Sequence, residues 1–352
     1  MFDLTTLGWG PFLSSQLSEE EVLSLVPGRA VADRGPRLLV RFAEGDRLVV
    51  IPGRLRDAGQ VPVVGDFVLA RPSSEGEEPE VLRVLERRSA LRRGAAGRAT
   101  AEQVIAANVD VVVIVQGLDA GVAVRRLERT LAAVHECGAL PAIVLTKSDL
   151  CEELERLREE AMASAPAVPV ILASAATGAG IEEVRALVPG GTTGVLVGPS
   201  GAGKSTLVNA LLGTEERAVA EVRSWDHRGR HTTTGRELVE VPGGGLLVDG
   251  PGIRELKLWS ADGLDAAFED VAALAEGCRF RDCRHEGEPG CAVQAAVERG
   301  ALDPARLESL HKLAREARAY EARRQLGPAR AEKQRGKVIA RLVRQHKKLR
   351  GR

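Results

Sequence analysis

The stretch GVLVGPSGAGKSTLVNALLG, residues 194–213, joins an apolar run of strand length to a helical pattern through a glycine-rich loop. The loop fits the spacing G-x-x-x-x-G-K-[ST] in full. Glycines let successive backbone N–H groups surround phosphate oxygens, and the N-terminus of the next helix adds the positive end of its dipole. The sequence therefore predicts a strand, a phosphate-binding loop and a helix in succession. The residues predicted to contact the phosphates are Gly198, Pro199, Ser200, Gly201, Ala202, Gly203, Lys204, Ser205 and Thr206.

Two polar side chains of this loop have predicted chemical roles. The Lys204 ammonium is expected to reach the β- and γ-phosphates of a nucleotide, which makes it a candidate catalytic group. The Ser205 hydroxyl is expected to bind Mg²⁺. Both roles require the strand before the loop and the helix after it, and the sequence predicts both elements.

Near-continuous apolar runs surround the loop along the chain. They are VDVVVIVQ (109–116), PAIVLT (141–146), AVPVIL (167–172) and GLLVD (245–249), and helical patterns such as Arg125–Cys137 alternate with them. Strands that are apolar on both faces and alternate with helices are typical of a parallel sheet covered on both sides. The sequence therefore predicts a central α/β P-loop domain.

A short polar motif comes directly after PAIVL. Thr146, Lys147, Ser148 and Asp149 resemble the [NT]KxD motif, in which the carboxylate accepts hydrogen bonds from guanine N1–H and the exocyclic amine. Adenine offers no such donor pair, so an unpaired carboxylate would disfavour it. The alternative is a helix N-cap ahead of an acidic helix, and the nucleotide enzyme would then be an ATPase.

The segment ASAATG follows the run AVPVIL directly. Its residues Ser174 and Ala175 resemble the SA-type loop of GTPases, whose backbone amide contacts guanine O6. Two base-contacting motifs therefore precede the phosphate loop along the chain.

Two further motifs come after the phosphate loop. HTTTG (231–235) resembles switch I, in which Thr234 closes on Mg²⁺ and the γ-phosphate, with Thr233 as the second choice. DGPG resembles switch II, in which Asp249 holds Mg²⁺ through water and the Gly252 amide contacts the γ-phosphate. A polar threonine cluster and a Pro-Gly turn are the alternatives when each motif is taken alone.

The motifs occur in permuted order, since a Ras-like GTPase has its phosphate loop first and its base-contacting motifs last. A compact domain with neighbouring termini tolerates such a permutation. The order, the string GRHTTT (229–234) and the flanking segments resemble the ribosome small-subunit-dependent GTPase A family (RsgA/YjeQ) over nearly the whole chain. This resemblance implies an OB-fold, a circularly permuted GTPase domain and a zinc-binding domain. It also implies GTP hydrolysis in late maturation of the small (30S) ribosomal subunit, stimulated by that subunit.

The hydrolytic site departs from the Ras-like pattern. Ras-like enzymes orient the attacking water with a Gln after DxxG, and Ile253 occupies that position here. The resemblance implies a slow intrinsic rate and a site that the partner completes. His231 is a candidate catalytic residue beside the switch threonines, with RNA contact or solvation as alternatives. Gly250 stands where the family often has Thr, a change away from the metal contact.

A cysteine-rich segment, CRFRDCRHEGEPGC, lies nearer the C-terminal end. Its spacing C-x4-C-x-H-x5-C matches a closed tetrahedral Cys3His zinc site, which is structural rather than catalytic. Free thiols with a surface histidine are the alternative. The predicted ligands are Cys278, Cys283, His285 and Cys291.

Short strand-like runs between about Ala30 and Glu86 are broken by Gly, Pro and acidic turns. Their close spacing favours a small antiparallel barrel, and it fits an OB-fold and an SH3-like barrel equally well. The linker RRSALRRGAAGR (87–98) holds five arginines and no acid. It is either a solvated connector or a phosphate-contacting loop beside the barrel.

Charge is distributed unevenly over the 352 residues. The chain holds 49 basic and 49 acidic residues, yet positions 323–352 hold twelve Lys or Arg and one acid, a local charge of +11. A basic tail on a mildly acidic body suggests a nucleic-acid partner, and we expect ribosomal RNA contact. No apolar run is long enough to span a bilayer, and no signal peptide is apparent. Together with clustered cysteines, these features predict a cytoplasmic monomer without a membrane partner.

The expected organisation has three domains. Residues 1–100 form an RNA-binding OB-fold with an N-terminal extension and the basic linker, 101–258 the permuted GTPase domain, and 259–352 a helical zinc-binding domain with the basic tail. One structural Zn²⁺ and one Mg²⁺ with GTP are the expected cofactors. The expected partners are the small ribosomal subunit with its rRNA, GTP and GDP, and other assembly factors. The alternative function is a nucleotide-dependent RNA-binding scaffold with incidental hydrolysis.

Overall fold

The N-terminal part folds as a small barrel. The computed structural model describes residues 3–35, 37–72, 77–94, 102–213, 235–250, 256 and 260–326. Five strands form the barrel: β1 (Val26–Arg34), β2 (Arg37–Phe42), β3 (Gly45–Val49), β4 (Phe67–Ala70) and β5 (Val81–Val84). β1 pairs with β2 and β4, β2 with β3, and β4 with β5, all antiparallel. A parallel bridge between Val50 and Glu80 then joins the end of β3 to the start of β5, which closes the ring.

Alternating apolar residues of these strands fill the inside of the barrel. Val40 and Val49 are fully buried there, together with Val68 and Val81 from the other strands. Two short helices, α1 (Pro11–Ser14) and α2 (Glu19–Ser24), precede the barrel, and α3 (Gly53–Asp57) lies between β3 and β4. A capping box between Ser18 and Glu21 begins α2.

Part of the basic linker is a strand rather than a solvated connector. β6 (Ala90–Gly94) pairs antiparallel with β7 (Glu102–Ala107). The Arg87 guanidinium binds the buried Asp66 carboxylate at 2.7 Å. The linker is therefore anchored to the barrel at its first residue and forms half of a hairpin further on.

A parallel sheet comes after the barrel along the chain. Its strands are β8 (Val111–Gly117), β9 (Leu140–Thr146), β10 (Val170–Leu172), β11 (Thr193–Val197), β12 (Glu237–Glu240) and β13 (Leu246–Asp249). Their order is β10-β9-β8-β11-β13-β12, and all neighbours are parallel except β12 and β13. Among the described residues, Ala32 of β1 pairs with Glu237 of β12, and the ion pairs Arg34–Glu237 and Arg41–Glu240 also join this sheet to the barrel.

The apolar runs predicted to be strands are buried because helices cover both faces of the sheet. These helices are α4 (Val124–Glu136), α5 (Leu154–Ser164), α6 (Ile181–Ala186) and α7 (Lys204–Leu212). α4 and α5 pack on one face through Leu127, Leu131 and Leu157, and α6 and α7 pack on the other. Leu127, Leu131 and Val134 recur at the helical period, which makes one stripe of α4 apolar.

A buried arginine holds three parts of the chain together near the N-terminus. The Arg29 guanidinium, on β1, donates to the carbonyl oxygens of Leu7 at 2.5 Å, Gly65 at 3.2 Å and Asn108 at 3.1 Å. Burial lowers the pKa of Arg29 to about 10, so it is still charged at pH 7. The barrel, the N-terminal extension and the start of the parallel sheet therefore share one cation.

The C-terminal helices pack on the face of the sheet covered by α4. They are α8 (Leu264–Ala267), α9 (Glu269–Ala275), α10 (Ala292–Glu298) and α11 (Pro304–Leu326). α11 begins with proline in its first turn, and the Asp303 carboxylate accepts the amide of Ala305 at 2.8 Å. No helix in the described ranges is both long enough and apolar enough to cross a membrane.

A buried ion-pair network joins α11 to α4. The Arg306 guanidinium contacts the Glu128 carboxylate at 2.8 Å and the Asp270 carboxylate at 2.7 Å, and it lies 4.4 Å from the centre of the Phe268 ring. It also donates to the carbonyl oxygen of Ser164 at 3.0 Å. These partners come from several different elements, so the network positions the C-terminal helices on the sheet.

Removing the Arg306 side chain tests this role. Glu128 is 1% exposed, so Arg306→Ala would leave a buried carboxylate without its cation. We expect the free energy of unfolding to fall by about 3–5 kcal/mol. The measurement is the urea midpoint of the full chain.

Arg125→Ala is the matched control, because the side chains of Arg125 and its partner Glu308 are 56% and 65% exposed. Its expected cost is below about 1 kcal/mol. Equal losses for the two variants would contradict the role of the buried network.

Candidate nucleotide and metal sites

The phosphate loop connects β11 to α7 at a topological switch point of the sheet. The chain runs outward from β8 to β9 and β10 on one side, and β11 and β13 lie on the other. In open α/β sheets, ligands bind outside the carboxyl ends of the strands at such a point. Gly198 adopts φ 148°, and a Cβ there would lie 2.2 Å from the Val115 carbonyl oxygen on β8. The loop can therefore approach β8 this closely only with glycine.

The polar residues of the loop lie where the sequence places them. α7 begins at Lys204, and Ser205 and Thr206 in its first turn are exposed. The Lys204 Nζ donates to the carbonyl oxygens of Gly198 at 2.7 Å and Pro199 at 2.6 Å. The ammonium thus lies over the loop that precedes it, on the side of the helix N-terminus.

The TKSD motif contacts this loop directly. The Thr146 hydroxyl is buried and donates to the Ala202 carbonyl oxygen at 2.5 Å. A Cβ on Gly203 would lie 3.3 Å from the same hydroxyl oxygen. Asp149 is exposed in the 3₁₀ turn Ser148–Leu150 at the end of the motif. The structure therefore brings the end of β9 and the phosphate loop together, although Thr146 and Ala202 are 56 positions apart in the chain.

The SA loop joins the same group. The Ser148 amide donates to the Ala173 carbonyl oxygen at 3.2 Å, which ties the loop after β9 to the loop after β10. Ser174 is fully buried, and its hydroxyl accepts the amide of Thr177 at 3.2 Å. Hydrogen bonds thus link three loops at the carboxyl ends of the strands.

Asp119 is a member of the site that no sequence motif predicted. The Lys147 Nζ lies 2.6 Å from its Oδ2, and this hydrogen bond holds the pKa of Asp119 below its usual value. Lys147 has left-handed backbone, φ 61°, and its stem passes over Gly117. Asp119 could have been predicted from its position, because it is an acid two residues after the run VVVIVQG, at the same sheet edge as TKSD.

The switch motifs are described only in part. Asp249 ends β13 beside β11 and is exposed at the edge that carries the phosphate loop. Gly250 has φ 147°, and a Cβ there would lie 2.9 Å from the Arg236 Cα, so this chain's backbone requires glycine where the resembled family often has Thr. The remaining predicted residues lie outside the described ranges: His231, Thr233, Thr234, Gly252 and Ile253.

A basic cavity of about 300 Å³ lies between α4 and the phosphate loop. Its lining includes Arg125, Arg126 and Arg129 of α4 with Gly198 and Pro199 of the loop. Arg129 also pairs with Glu316 of α11 at 2.7 Å. Positive side chains and the first residues of the phosphate loop therefore face the same cavity, which favours an anionic ligand.

The four predicted metal ligands converge in space. The ligand atoms of Cys278, Cys283, His285 and Cys291 all lie within 4.8 Å of one another. The Cys278 and Cys291 sulfurs are 3.9 Å apart, and His285 Nδ1 lies 3.7 Å and 3.4 Å from them. A tetrahedral zinc with bonds of about 2.0–2.3 Å requires ligand separations of about 3.5–3.8 Å. The Cys3His donor set is that of a structural zinc site, and the grouping of its four ligand atoms is compatible with one bound metal ion such as zinc.

Neighbouring groups orient the metal ligands. The Gln294 side-chain amide donates to the His285 carbonyl oxygen at 2.5 Å, and the Cys291 sulfur accepts the Gln294 amide at 3.4 Å as the N-cap of α10. Burial lowers the pKa of His285, which favours the neutral imidazole that binds metals. The cluster thereby fixes the start of α10 as well as the loop before it.

Known proteins resemble this chain over most of its length. The family model described as RsgA GTPase matches residues 84–259. The protein named small ribosomal subunit biogenesis GTPase RsgA from Opitutus terrae is 42% identical over 366 aligned residues, covering 99% of both chains. The chain belongs to the RsgA GTPase family. The protein of that name from Syntrophotalea carbinolica is 39% identical and covers 96% of each chain.

Solved structures share the fold. The crystal structure of YjeQ from Thermotoga maritima has a TM-score of 0.65 and 27% identity, covering 83% of this chain and 98% of that one. YloQ, a circularly permuted GTPase, has a TM-score of 0.61 and 24% identity, covering 84% and 95%. The resemblance predicted from the motif order is confirmed, with the mixed α/β sheet of a circularly permuted GTPase and membership of a family of GTP-hydrolysing enzymes.

Metal analysis tests the cysteine cluster. We expect about one zinc per chain, and Cys291→Ser should lose the metal and lower the thermal midpoint, because structural zinc contributes directly to folding. Cys151→Ser is the control, since Cys151 lies outside the cluster. Unchanged zinc content in Cys291→Ser would contradict the site.

Proposed function

We propose that this protein is a GTP hydrolase that acts in late maturation of the small ribosomal subunit. The hydrogen bond between the Thr146 hydroxyl and the Ala202 carbonyl oxygen carries the proposal, because it places a guanine-type motif against a phosphate loop. The names of the relatives support the subunit as the partner. The full-length coverage supports applying that activity to the whole chain.

One nucleotide would lie along the carboxyl edge of the sheet. Its phosphates would contact the loop 198–206, with Lys204 at the β- and γ-phosphates and the dipole of α7 adding stabilisation. Its base would contact Asp149, with the Lys147 stem on the base and Ser174 and Ala175 beside it. The ion pair of Lys147 with Asp119 supports this arrangement, since it holds the lysine stem across the sheet edge.

Mg²⁺ would be held by Ser205 and Thr234 directly, and by Asp249 through water. It supplies charge neutralisation between the β- and γ-phosphates when bound. The exposed position of Ser205 in the first turn of α7 and of Asp249 at the end of β13 supports this assignment. The Gly252 amide would contact the γ-phosphate.

Hydrolysis would be slow until the partner is bound. Ile253 replaces the glutamine that orients water in Ras-like enzymes, so the chain lacks that residue after DxxG. His231 beside the switch threonines is the proposed group that assists the water, and the ribosomal subunit would complete the site.

The flanking domains would provide the grip on the subunit. We infer an OB-fold within 1–100, because its strands pair in the closed order β1-β2-β3-β5-β4 with a parallel β3–β5 bridge. Residues 101–258 would form the GTPase domain and 259–352 the zinc-binding domain, whose tail from 327 lies outside the described ranges. The linker Arg87, Arg88 and Arg92 line a cleft of about 550 Å³ between the barrel and α4, which supports phosphate contact there.

Nucleotide state would control the grip. With GTP and Mg²⁺ the switches would be ordered and the protein would bind rRNA of the immature subunit in the cytoplasm as a monomer. Hydrolysis would release the switches, and the protein would then leave the subunit. It would leave before the other assembly factors or together with them. Two of the arginines that line the cavity beside the phosphate loop, Arg125 and Arg129, pair with Glu308 and Glu316 of α11, which supports a link from the loop to the zinc-binding domain.

A GTPase assay with and without purified small subunits tests the function. We expect subunits to raise kcat by about two orders of magnitude or more, since partner-completed GTPase sites gain roughly 10³- to 10⁵-fold. Lys204→Ala should abolish both rates, and Arg156→Ala on α5, an exposed side chain paired with Glu153 and Glu160, should change neither. Turnover that stays negligible at saturating subunits would contradict the proposal and favour an RNA-binding scaffold with incidental hydrolysis.

A further inference from the structure

The zinc-ligand loop presents an exposed aromatic ring between two metal ligands. Phe280 lies between Cys278 and Cys283 and is 41% exposed. The Arg279 guanidinium lies 5.4 Å from the centre of its ring. Arg279, Phe280, Arg281 and Arg284 are all exposed, and we call them the Phe280 platform.

The arginines of the platform have no carboxylate partner in the part of the chain that the structure describes. Two exposed arginines elsewhere are paired, Arg125 with Glu308 and Arg156 with Glu160. The segment 279–284 holds three arginines and one acid, a net charge of +2. The platform therefore carries three arginine side chains without a carboxylate partner among the described residues. Glu286 and Glu288 follow on the same loop, and the Glu288 carboxylate accepts the amides of Arg284 and Glu286.

The loop is held in one conformation. The Arg279 amide donates to the Gly290 carbonyl oxygen at 3.1 Å, and the Cys283 amide donates to the Phe280 carbonyl oxygen at 3.3 Å. His311 Nε2 of α11 lies 3.0 Å from the Arg284 carbonyl oxygen. With Cys278 and Cys283 also fixed in the metal cluster, the backbone under the ring loses little entropy when a ligand binds.

We propose that the Phe280 platform binds an unpaired nucleobase of single-stranded RNA. The base stacks on the exposed Phe280 ring, and Arg281 and Arg284 contact the flanking phosphates. Base stacking on aromatic side chains combined with a positive groove is the usual mode of single-strand binding. One ring with three arginines is too small for a stable protein interface, which buries about 1,200 Å² or more.

This inference rests on the proposed function only for its biological setting, since RNA binding is measured without hydrolysis. The probe is fluorescein-labelled decauridylate, titrated with zinc-loaded full-length protein and followed by fluorescence anisotropy. We expect Phe280→Ala to weaken binding about 5- to 100-fold, the range of one lost base stack. Phe280→Trp should retain binding, because indole also stacks.

Met162→Ala is the control, because Met162 is a large apolar side chain that is 50% exposed on α5, outside both domains proposed to bind RNA. It should leave binding unchanged. Zinc content should stay at one per chain in every variant. Arg281→Ala and Arg284→Ala should each reduce the slope of log K against log salt by about one, and these variants test the platform if Phe280→Ala fails to fold.

Unchanged decauridylate binding by a zinc-loaded Phe280→Ala protein would overturn the inference. An equal loss on duplex RNA would also overturn it, since paired bases offer no free face. Uridine monophosphate is also tested as a competitor of the labelled decamer. If it competes as strongly per base as unlabelled decamer does, the platform binds free nucleotides instead. If Phe280→Ala leaves RNA binding unchanged while subunits still stimulate hydrolysis, the inference is wrong and the proposed function stands. If Phe280→Ala weakens RNA binding while subunits do not stimulate hydrolysis, the inference stands and the proposed function is wrong.

Discussion

The nucleotide site depends on one hydrogen bond, from the buried Thr146 hydroxyl to the Ala202 carbonyl oxygen. A carbonyl buried without a donor costs about 1–3 kcal/mol, so the contact favours one placement of the two loops. It fixes the distance between the loop that would take the base and the loop that would take the phosphates. The Lys147–Asp119 pair and the Ser148 amide then hold the remaining loops around it.

Permutation leaves this arrangement intact because sheet order, rather than chain order, decides which loops meet. β11 enters the sheet beside β8, although β9 and β10 come between them along the chain. All parallel strands end at the same edge of the sheet, so the three loops converge whichever of them comes first along the chain. The permutation instead changes the connection after the last motif: the chain continues from β13 into helices that the Arg306–Glu128 pair anchors on α4.

The sequence predicted features that depend on local spacing. The phosphate loop, TKSD and the cysteine cluster each lie within fourteen residues, and the structure brings their members together. Features formed by distant residues were missed: Asp119 pairs across 28 positions, and Arg306 meets Glu128 across 178. The strand in the basic linker was also missed, because its pairing with Glu102–Ala107 depends on a partner rather than on its own composition. Pairs between residues far apart in the chain therefore could not be predicted from local spacing.

The central claim is that Asp149 and Lys204 act on one guanine nucleotide, and a specificity exchange measures this directly. Asp149→Asn should weaken GTP binding and strengthen binding of xanthosine triphosphate, whose base presents an acceptor where guanine has an amine. Isothermal titration of wild type and Asp149→Asn with both nucleotides gives the comparison. One shared site is supported if Asp149→Asn binds xanthosine triphosphate more tightly than wild type does and Lys204→Ala binds neither nucleotide. Unchanged GTP affinity in Asp149→Asn would contradict it.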